Sequence, residues 1–94
     1  MTPQKIKEVI EIYQTRFEKL GIEKTDYPHE KIIDSNNGIL YHCYGMTDKM
    51  LKFLEQGRVE KTFRWLGFIQ GCLWTSGLYS LEEIKNHNKT TNNT

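Results

Sequence analysis

Aromatic, cationic and histidine side chains in the middle of the chain are the residues best suited to bind a ligand or a partner. Such side chains are over-represented in protein–protein hot spots and in pockets for planar ligands. The competing interpretation is structural, because a histidine at the rim of a core is more often hydrogen-bonded to a backbone carbonyl. The candidate binding residues of this kind are Tyr41, His42, Tyr44, Arg58, Arg64 and Trp65.

Gly67 and Gly71 lie four residues apart in a long apolar segment, with Arg64 on the same stripe. A glycine inside a soluble helix costs about 1 kcal/mol relative to alanine, so two of them need a reason. The favoured reason is the close approach of another helix backbone, such as that of a neighbouring subunit. The alternative is a groove in which a ligand contacts the helix.

Gln70 and Trp74 complete the candidate binding residues. Gln70 falls among apolar positions, and an unpaired buried amide costs about 1–3 kcal/mol. It therefore needs a partner, which is a backbone carbonyl, the same residue of another subunit, or a ligand. A structural partner is the commoner solution.

Catalytic and metal-binding patterns are missing from the sequence. There is no glycine-rich phosphate loop, no nucleophile elbow and no carboxylate pair in an apolar setting. The histidines and cysteines do not have the spacing of metal ligands. We therefore predict a non-enzymatic protein with no metal and no cofactor. Cys43 and Cys72 are predicted to be reduced, buried thiols rather than a disulfide.

The composition bounds the class of protein. The chain has 94 residues, 13 of them Lys or Arg and 12 Asp or Glu, so its net charge is close to neutral. This balance argues against a protein that mainly coats nucleic acid, where a strongly basic face is expected. No apolar run is long enough to span a membrane, and the N-terminus lacks the apolar core of a signal peptide. We expect a cytoplasmic protein.

The N-terminal residues predict an amphipathic helix over residues 3–20. Thr2 is suited to be its N-cap, Pro3 its first residue and Gly21 its end. Apolar residues recur at helical spacing on one narrow face. That face consists of Ile6, Val9, Ile10, Tyr13, Phe17 and Leu20.

A second helix is predicted over residues 36–56, with its N-cap within residues 35–37. Its apolar face would contain Ile39, Cys43, Met46, Met50, Phe53 and Leu54, with His42 at the edge. The Asn37-Gly38 pair between two apolar runs leaves a small β-hairpin over residues 31–41 as an alternative. The helix is favoured because it accounts for more residues.

The rest of the chain predicts a helical hairpin, a short helix and a tail. Gly57 permits a tight turn into a helix over residues 58–76, which Gly77 ends with Leu78 packed back on its last turn. Ser80 and Glu83 have the spacing of a capping box that opens a helix over residues 80–88. We therefore expect an all-α fold, with one helical domain over residues 1–88 and a disordered polar tail over residues 89–94.

The 58–76 helix carries apolar residues on two opposite faces. One face contains Phe63, Leu66, Leu73 and Trp74, and the other contains Trp65, Phe68 and Cys72. A helix that is apolar on both sides must be covered on both sides, and a short chain has few other elements to do so. We therefore predict a homo-oligomer, most simply a dimer, held by this helix.

The C-terminal half resembles a family of short bacteriophage proteins. The similar segment is EQGRVEKTFRWLGFIQGCLWTSGLYSLEEIKNHN, preceded by an aromatic–His–aromatic–Met stretch at residues 41–46. The family shares a stretch close to G+xxKAxRWLGFxQGxLWxxGxxTIxELxxxN. This chain departs from it at Thr62, where alanine is usual, and at Gly45, where a Trp-like residue often lies. The matching residues are Gly57, Arg58, Lys61, Arg64, Trp65, Leu66, Gly67, Phe68, Gln70, Gly71, Leu73, Trp74, Gly77, Leu81, Glu83 and Asn88.

The resemblance implies a phage origin and a small accessory role in host takeover, defence evasion or genome metabolism. The leading hypothesis is a helical protein that binds a host macromolecule, with a host protein as the partner. The first alternative is an oligomeric protein that binds a nucleotide-like small molecule at a subunit interface. The second alternative is an accessory factor of nucleic-acid metabolism, which the neutral charge disfavours.

Overall fold

The computed structural model of the chain describes residues 1–33 and 36–89, together with all their side chains except those of residues 36 and 37. Four helices build the fold: α1 (Pro3–Leu20), α2 (Asn36–Glu55), α3 (Val59–Thr75) and α4 (Leu81–Asn88). The predicted all-α fold is confirmed. The alternative β-hairpin over residues 31–41 does not form among the described residues. The N-cap side chain predicted within residues 35–37, and the predicted tail beyond Lys89, lie outside the described part.

Capping side chains set the starts of the first and last helices as predicted. Thr2 Oγ1 accepts a hydrogen bond from the Lys5 backbone N–H at 3.1 Å, with Pro3 as the first helical residue. The hydroxyl of Ser80 accepts from the backbone N–H of Glu83, whose carboxylate accepts from the Ser80 N–H in return. These bonds satisfy backbone donors that the first turn of a helix leaves without partners.

A tight turn joins α2 and α3 into the predicted helical hairpin. Gly57 has a φ of 76°, a left-handed conformation that glycine adopts without strain. A hydrogen bond closes the turn, in which the Arg58 N–H donates to the Phe53 carbonyl at 2.8 Å. Gly77, with a φ of 80°, ends α3 in the same way, and the Leu78 N–H donates to the Leu73 carbonyl. Both glycines lie just beyond the last helical turn, in the left-handed conformation that commonly ends helices.

The core lies where α1 packs on the α2–α3 hairpin, and α4 closes one end against α1 and α3. Helix α4 contributes Ile84 to the buried residues. The other buried apolar side chains come from the first three helices at the predicted helical spacing. They are Ile6, Val9, Ile10, Tyr13, Phe17, Cys43, Met46, Met50, Leu66, Ile69 and Leu73.

Two parts of the predicted apolar faces are wrong. Leu20 belongs to the apolar stripe of α1 by spacing, yet it is 44% exposed, because α1 ends there and the chain turns away at Gly21. Phe63 and Trp74 were predicted to share the face of Leu66 and Leu73, but only the latter pair is buried. The part of the α3 surface that is buried in the core is therefore narrower than the part that carries apolar residues.

The 22–33 segment, which we call the strap, has no helix or strand and runs along α2. The Thr25 N–H donates to the Tyr41 carbonyl of α2 at 3.2 Å. The backbone of Thr25 approaches Gly45 so closely that a Cβ at this position would lie 2.5 Å from the Thr25 carbonyl oxygen. Two exposed ion pairs also join the strap to α2, Lys24–Asp48 at 2.8 Å and Lys49–Asp26 at 2.9 Å.

Gly67 and Gly71 receive no close approach from another helix of the same chain. A Cβ built on either residue meets no atom within 4 Å. The approach predicted from their spacing is therefore wrong within the chain, while the approach of a second copy stays a prediction. Gly45 of α2, by contrast, does have a tight neighbour, the Thr25 backbone of the strap.

Replacing Gly67 or Gly71 with alanine should stabilise the isolated chain by about 1 kcal/mol, since helix propensity improves and no atom is displaced. In a domain of this size the melting temperature should rise by about 4–8 °C per substitution. Thermal unfolding at low protein concentration measures this rise. Gly21→Ala is the control and should lower the melting temperature, because its φ is 70°. A loss of stability at Gly67 or Gly71 would show that another chain covers these glycines.

Candidate functional site

One side of α3 lies open in the described part of the chain, and exposed aromatic side chains flank a stripe of glycines there. We call it the α3 outer face, made up of Phe63, Gly67, Phe68, Gly71 and Trp74. Its three aromatic side chains are 48%, 56% and 52% exposed in sequence order. A groove of about 470 Å³ runs along the two glycines, and Trp74 and the half-buried Cys72 also line it. This face can accept an apolar surface of another molecule.

A second concave site lies next to this face, between the strap, α2 and α3. We call it the His42 pocket, a cavity of about 270 Å³. Phe68 belongs to both sites, so the wall of the pocket is also the edge of the α3 outer face. The residues that line the pocket are Asp26, His29, His42, Met46, Lys49, Arg64, Trp65 and Phe68.

Helical spacing accounts for most of the pocket lining. The α2 residues His42, Met46 and Lys49 follow one another at steps of four and three, which places them on one face of the helix. On α3, Arg64 and Phe68 are four residues apart. These faces meet beside the hairpin core, and the strap closes the third side with Asp26 and His29.

His42 is half-buried and is held by the strap. Its Nδ1 atom accepts a hydrogen bond from the Tyr27 backbone N–H at 3.4 Å. The centroids of the Tyr27 and His42 rings lie 6.0 Å apart. Burial lowers the pKa of His42, while the nearby Asp26 carboxylate opposes that shift. The ring is therefore neutral at neutral pH, and its proton resides on Nε2 because Nδ1 is an acceptor. The sequence favoured a carbonyl partner for this histidine, whereas the partner is a backbone N–H donor.

The charged residues of the pocket are paired at its rim. Lys49 Nζ lies 2.9 Å from Asp26 Oδ2, and this bond lowers the pKa of the Asp26 carboxyl. Arg64 forms an ion pair with Glu60 one turn earlier on α3, at 3.1 Å. Both pairs are exposed, and such pairs typically contribute only about 0–1 kcal/mol. The cationic groups are therefore free to exchange partners at little cost.

The Gln70 side chain is hydrogen-bonded to other side chains of the same chain, so it needs neither a second subunit nor a ligand as its partner. Its amide N–H donates to Tyr13 Oη at 3.1 Å and to Asn88 Oδ1 at 2.7 Å, and Asn88 returns a bond to the Gln70 carbonyl at 3.3 Å. His87 Nδ1 lies 3.0 Å from the Tyr13 hydroxyl. Burial raises the pKa of Tyr13 to about 12, so this hydroxyl stays protonated. The network joins α1, α3 and α4 and leaves Gln70 no role in either open site.

Cys43 and Cys72 are free thiols that face each other between α2 and α3. Their mutual hydrogen bond lowers the pKa of Cys72 to about 7. The same bond, together with burial, raises the pKa of Cys43. Cys72 lines the groove of the α3 outer face, whereas Cys43 is fully buried in the core.

The structure gathers only some of the candidate binding residues. His42, Arg64 and Trp65 meet in the His42 pocket, and Gly67, Gly71 and Trp74 lie together on the α3 outer face. The others are separate. Tyr44 packs on Phe17 in the core, with ring centroids 5.3 Å apart, and the Arg58 guanidinium lies over the Phe53 ring at the hairpin turn. The backbone carbonyl of Tyr41 holds the strap.

Sequence reasoning missed five residues of the pocket lining. The spacing from His42 could have indicated Met46 and Lys49, and the spacing from Arg64 could have indicated Phe68. No local signal could have indicated Asp26 and His29, because the irregular strap brings them to the pocket.

Comparisons with protein family models, with curated proteins and with solved structures find no match to this chain. Within the described residues, no helix is long and apolar enough to cross a membrane. No three histidine, cysteine, aspartate or glutamate side chains of the described residues cluster as metal ligands do.

Proposed function

We propose that this protein is a non-enzymatic, phage-type accessory protein of the host cytoplasm that docks its α3 outer face on a host protein. The observation that carries the proposal is the open apolar side of α3, with three aromatic rings about half exposed. The largest exposed apolar patch of a small protein is often a functional surface. The resemblance of the α3 segment to short bacteriophage proteins supports a role in host takeover or defence evasion.

The size and surroundings of the face suit a protein partner. Three half-exposed aromatic side chains offer roughly 300 Å² of apolar surface. One partner of a standard interface buries about 800 Å², so these rings can form its apolar centre. Exposed polar side chains can supply the hydrogen bonds that protein interfaces also contain. Arg64 lies on the stripe of Gly67 and Gly71, and Glu60 and Thr75 lie towards the two ends of α3.

A second copy is the expected occupant of the same face when no host partner is present. Gly67 and Gly71 leave the backbone of α3 accessible, so the α3 helix of another copy can approach closely. A two-fold arrangement would place the same face on both sides of the interface. Host partner and second copy would then compete for one surface.

Affinity purification from bacterial cells that express the tagged chain tests the docking surface. We expect a host protein to co-purify in stoichiometric amount with the wild type and to be lost with Trp74→Ser. With the purified partner, calorimetry should show binding at least tenfold weaker for this variant, since buried tryptophans are frequent hot spots. Ile12→Ser is the matched control, because it removes an exposed apolar side chain from α1 instead.

The variants also separate the two occupants. Light scattering of the purified wild type should give a dimer, and Gly71→Leu should give a monomer because the added side chain fills the groove. A host partner that binds Trp74→Ser as tightly as the wild type would contradict docking through this face. A strict monomer at tens of micromolar would reject the second copy but leave the host partner in place.

A second candidate function is the binding of a nucleotide-like small molecule, and the His42 pocket favours it. The pocket combines apolar walls with a few polar groups, as ligand pockets commonly do. Thermal-shift measurements against a panel of nucleotides test this function, because a ligand that binds only the folded chain raises its melting temperature.

A further inference from the structure

The His42 pocket differs from the α3 groove in the chemistry of its walls. The groove is larger and lined almost wholly by apolar side chains and glycines. The pocket is lined by three elements, and its lining combines apolar residues with titratable ones. Such a combination suits a ligand with an apolar part and a charged part.

The apolar residues of the pocket suit an aromatic ring. They are Met46, Trp65 and Phe68. The Trp65 ring is held in place by the edge of Phe53, with ring centroids 4.9 Å apart and planes at 88°. Phe68 is 56% exposed, so a ring against it would remove apolar surface from water. Planar bases stack on aromatic side chains in many unrelated proteins without needing a sequence-specific contact.

The charged residues of the pocket suit an anionic group. Its lining holds two permanent cations, Lys49 and Arg64, against one carboxylate, Asp26. Asp26 is bound to Lys49, whereas the partner of Arg64 is Glu60, which lies outside the lining. An oxyanion can therefore replace Glu60 on the Arg64 guanidinium without leaving a buried charge behind. Arginine binds phosphate and carboxylate groups through paired N–H donors.

His42 adds a neutral hydrogen-bond donor to the lining. Because its Nδ1 accepts the Tyr27 N–H, the neutral ring presents Nε2–H as a hydrogen-bond donor. A carbonyl or phosphate oxygen of a bound ligand is the matching acceptor. The strap that holds His42 also carries His29 into the lining.

We propose that the His42 pocket binds a planar aromatic anion of about the size of a nucleoside monophosphate. The ring lies against Trp65 and Phe68, and the anionic group binds Arg64 and Lys49. This inference rests on the second proposed function, the binding of a small molecule, and specifies the ligand by its chemistry. A nucleoside monophosphate and an aromatic carboxylate share this chemistry, and the experiment distinguishes them.

The two tryptophans of the chain report on the two sites separately, since Trp65 lines the pocket and Trp74 the groove. In a Trp74→Phe variant, fluorescence excited at 295 nm comes from Trp65 alone. This protein is titrated with the four ribonucleoside monophosphates, their four nucleosides, and benzoate as the carboxylate probe, because benzoate adds no indole emission of its own. We expect a probe anion to quench Trp65, and a monophosphate to bind at least tenfold more tightly than its nucleoside.

Charge variants test the anionic contact. Arg64→Gln should weaken binding of the monophosphate roughly tenfold and bring it close to the nucleoside, since a hydrogen bond between charged groups is lost. Arg58→Gln is the matched control and should leave binding unchanged, because Arg58 lies over Phe53 at the hairpin turn, outside the lining. Calorimetry on the same proteins provides a second measurement.

Each outcome decides a different part of the inference. A monophosphate that binds no better than its nucleoside would overturn the anionic contact while the small-molecule function stands. Tighter binding of benzoate than of any monophosphate would support the aromatic anion and identify a carboxylate as its source. Quenching of Trp74 in a Trp65→Phe variant, without quenching of Trp65, would place the ligand on the α3 outer face and overturn the pocket. If no probe binds by either method, both the inference and the second function are overturned.

Discussion

Replacing Gly45 with alanine should lower the free energy of unfolding by about 1–3 kcal/mol, the usual cost of overpacking. The added Cβ would lie 2.5 Å from the carbonyl oxygen and 3.0 Å from the carbonyl carbon of Thr25. Both are backbone atoms of the strap, so no flexible side chain can move aside. Helix propensity alone would favour alanine here by about 1 kcal/mol, which makes the expected sign a direct test of the close contact.

The displaced strap should also change the His42 pocket. Thr25 is followed by Asp26 in the pocket lining and by Tyr27, whose N–H holds His42. We therefore expect Gly45→Ala to weaken ligand binding to the pocket as well as stability. Urea denaturation of Gly45→Ala and of Gly67→Ala measures the difference, since a Cβ at Gly67 meets nothing within 4 Å. Equal stabilisation of both variants would contradict the contact between the strap and α2.

Removing the Gln70 amide should cost about 1–3 kcal/mol, because buried polar partners lose their hydrogen bonds. In Gln70→Ala, Asn88 loses the side chain that both donates to it and accepts from it. The fully buried Tyr13 hydroxyl keeps only its contact with His87. The lost hydrogen bonds should mainly weaken the packing of α4, which is held by this network and by the buried Ile84.

Denaturant unfolding together with amide hydrogen exchange measures this effect. We expect the exchange of α4 amides in Gln70→Ala to accelerate more than that of α2 amides, since Asn88 of α4 loses its bonds to Gln70 whereas α2 has no part in this network. Gln4→Ala is the matched control, because Gln4 lies on the exposed side of α1 and should change stability by less than about 0.5 kcal/mol. Uniform acceleration of all helices would mean that the network stabilises the whole core rather than α4.

The placement of the four helices follows from local signals that the sequence displays directly. Thr2 and Pro3 start α1, Ser80 and Glu83 start α4, and glycines with positive φ end the helices between them. These signals act within one helical turn, so neighbouring residues suffice to predict them. The helical period of the apolar residues then predicts most of the core, as it does for Ile6 to Phe17 in α1.

The roles of the glycines depend on the tertiary structure. Gly67 and Gly71 have the spacing expected of a close helix contact but face open space, whereas Gly45 carries the tight contact without any sequence pattern. The difference arises because the strap has no periodicity of its own, and only packing decides where it crosses α2. Close approach is a property of two segments, and the sequence of one of them does not reveal the other.

One candidate site can likewise be recognised in the sequence, whereas the other depends on the tertiary structure. The apolar excess of α3 is visible in the sequence, because more apolar residues lie around this helix than one core can cover. The other helices, α1, α2 and α4, cover only part of the circumference of α3. Leu66 and Leu73 lie in the covered part and are buried, whereas Phe63 and Trp74 lie outside it and are exposed. The His42 pocket could not be predicted from the sequence, because its residues come from three elements that only packing brings together.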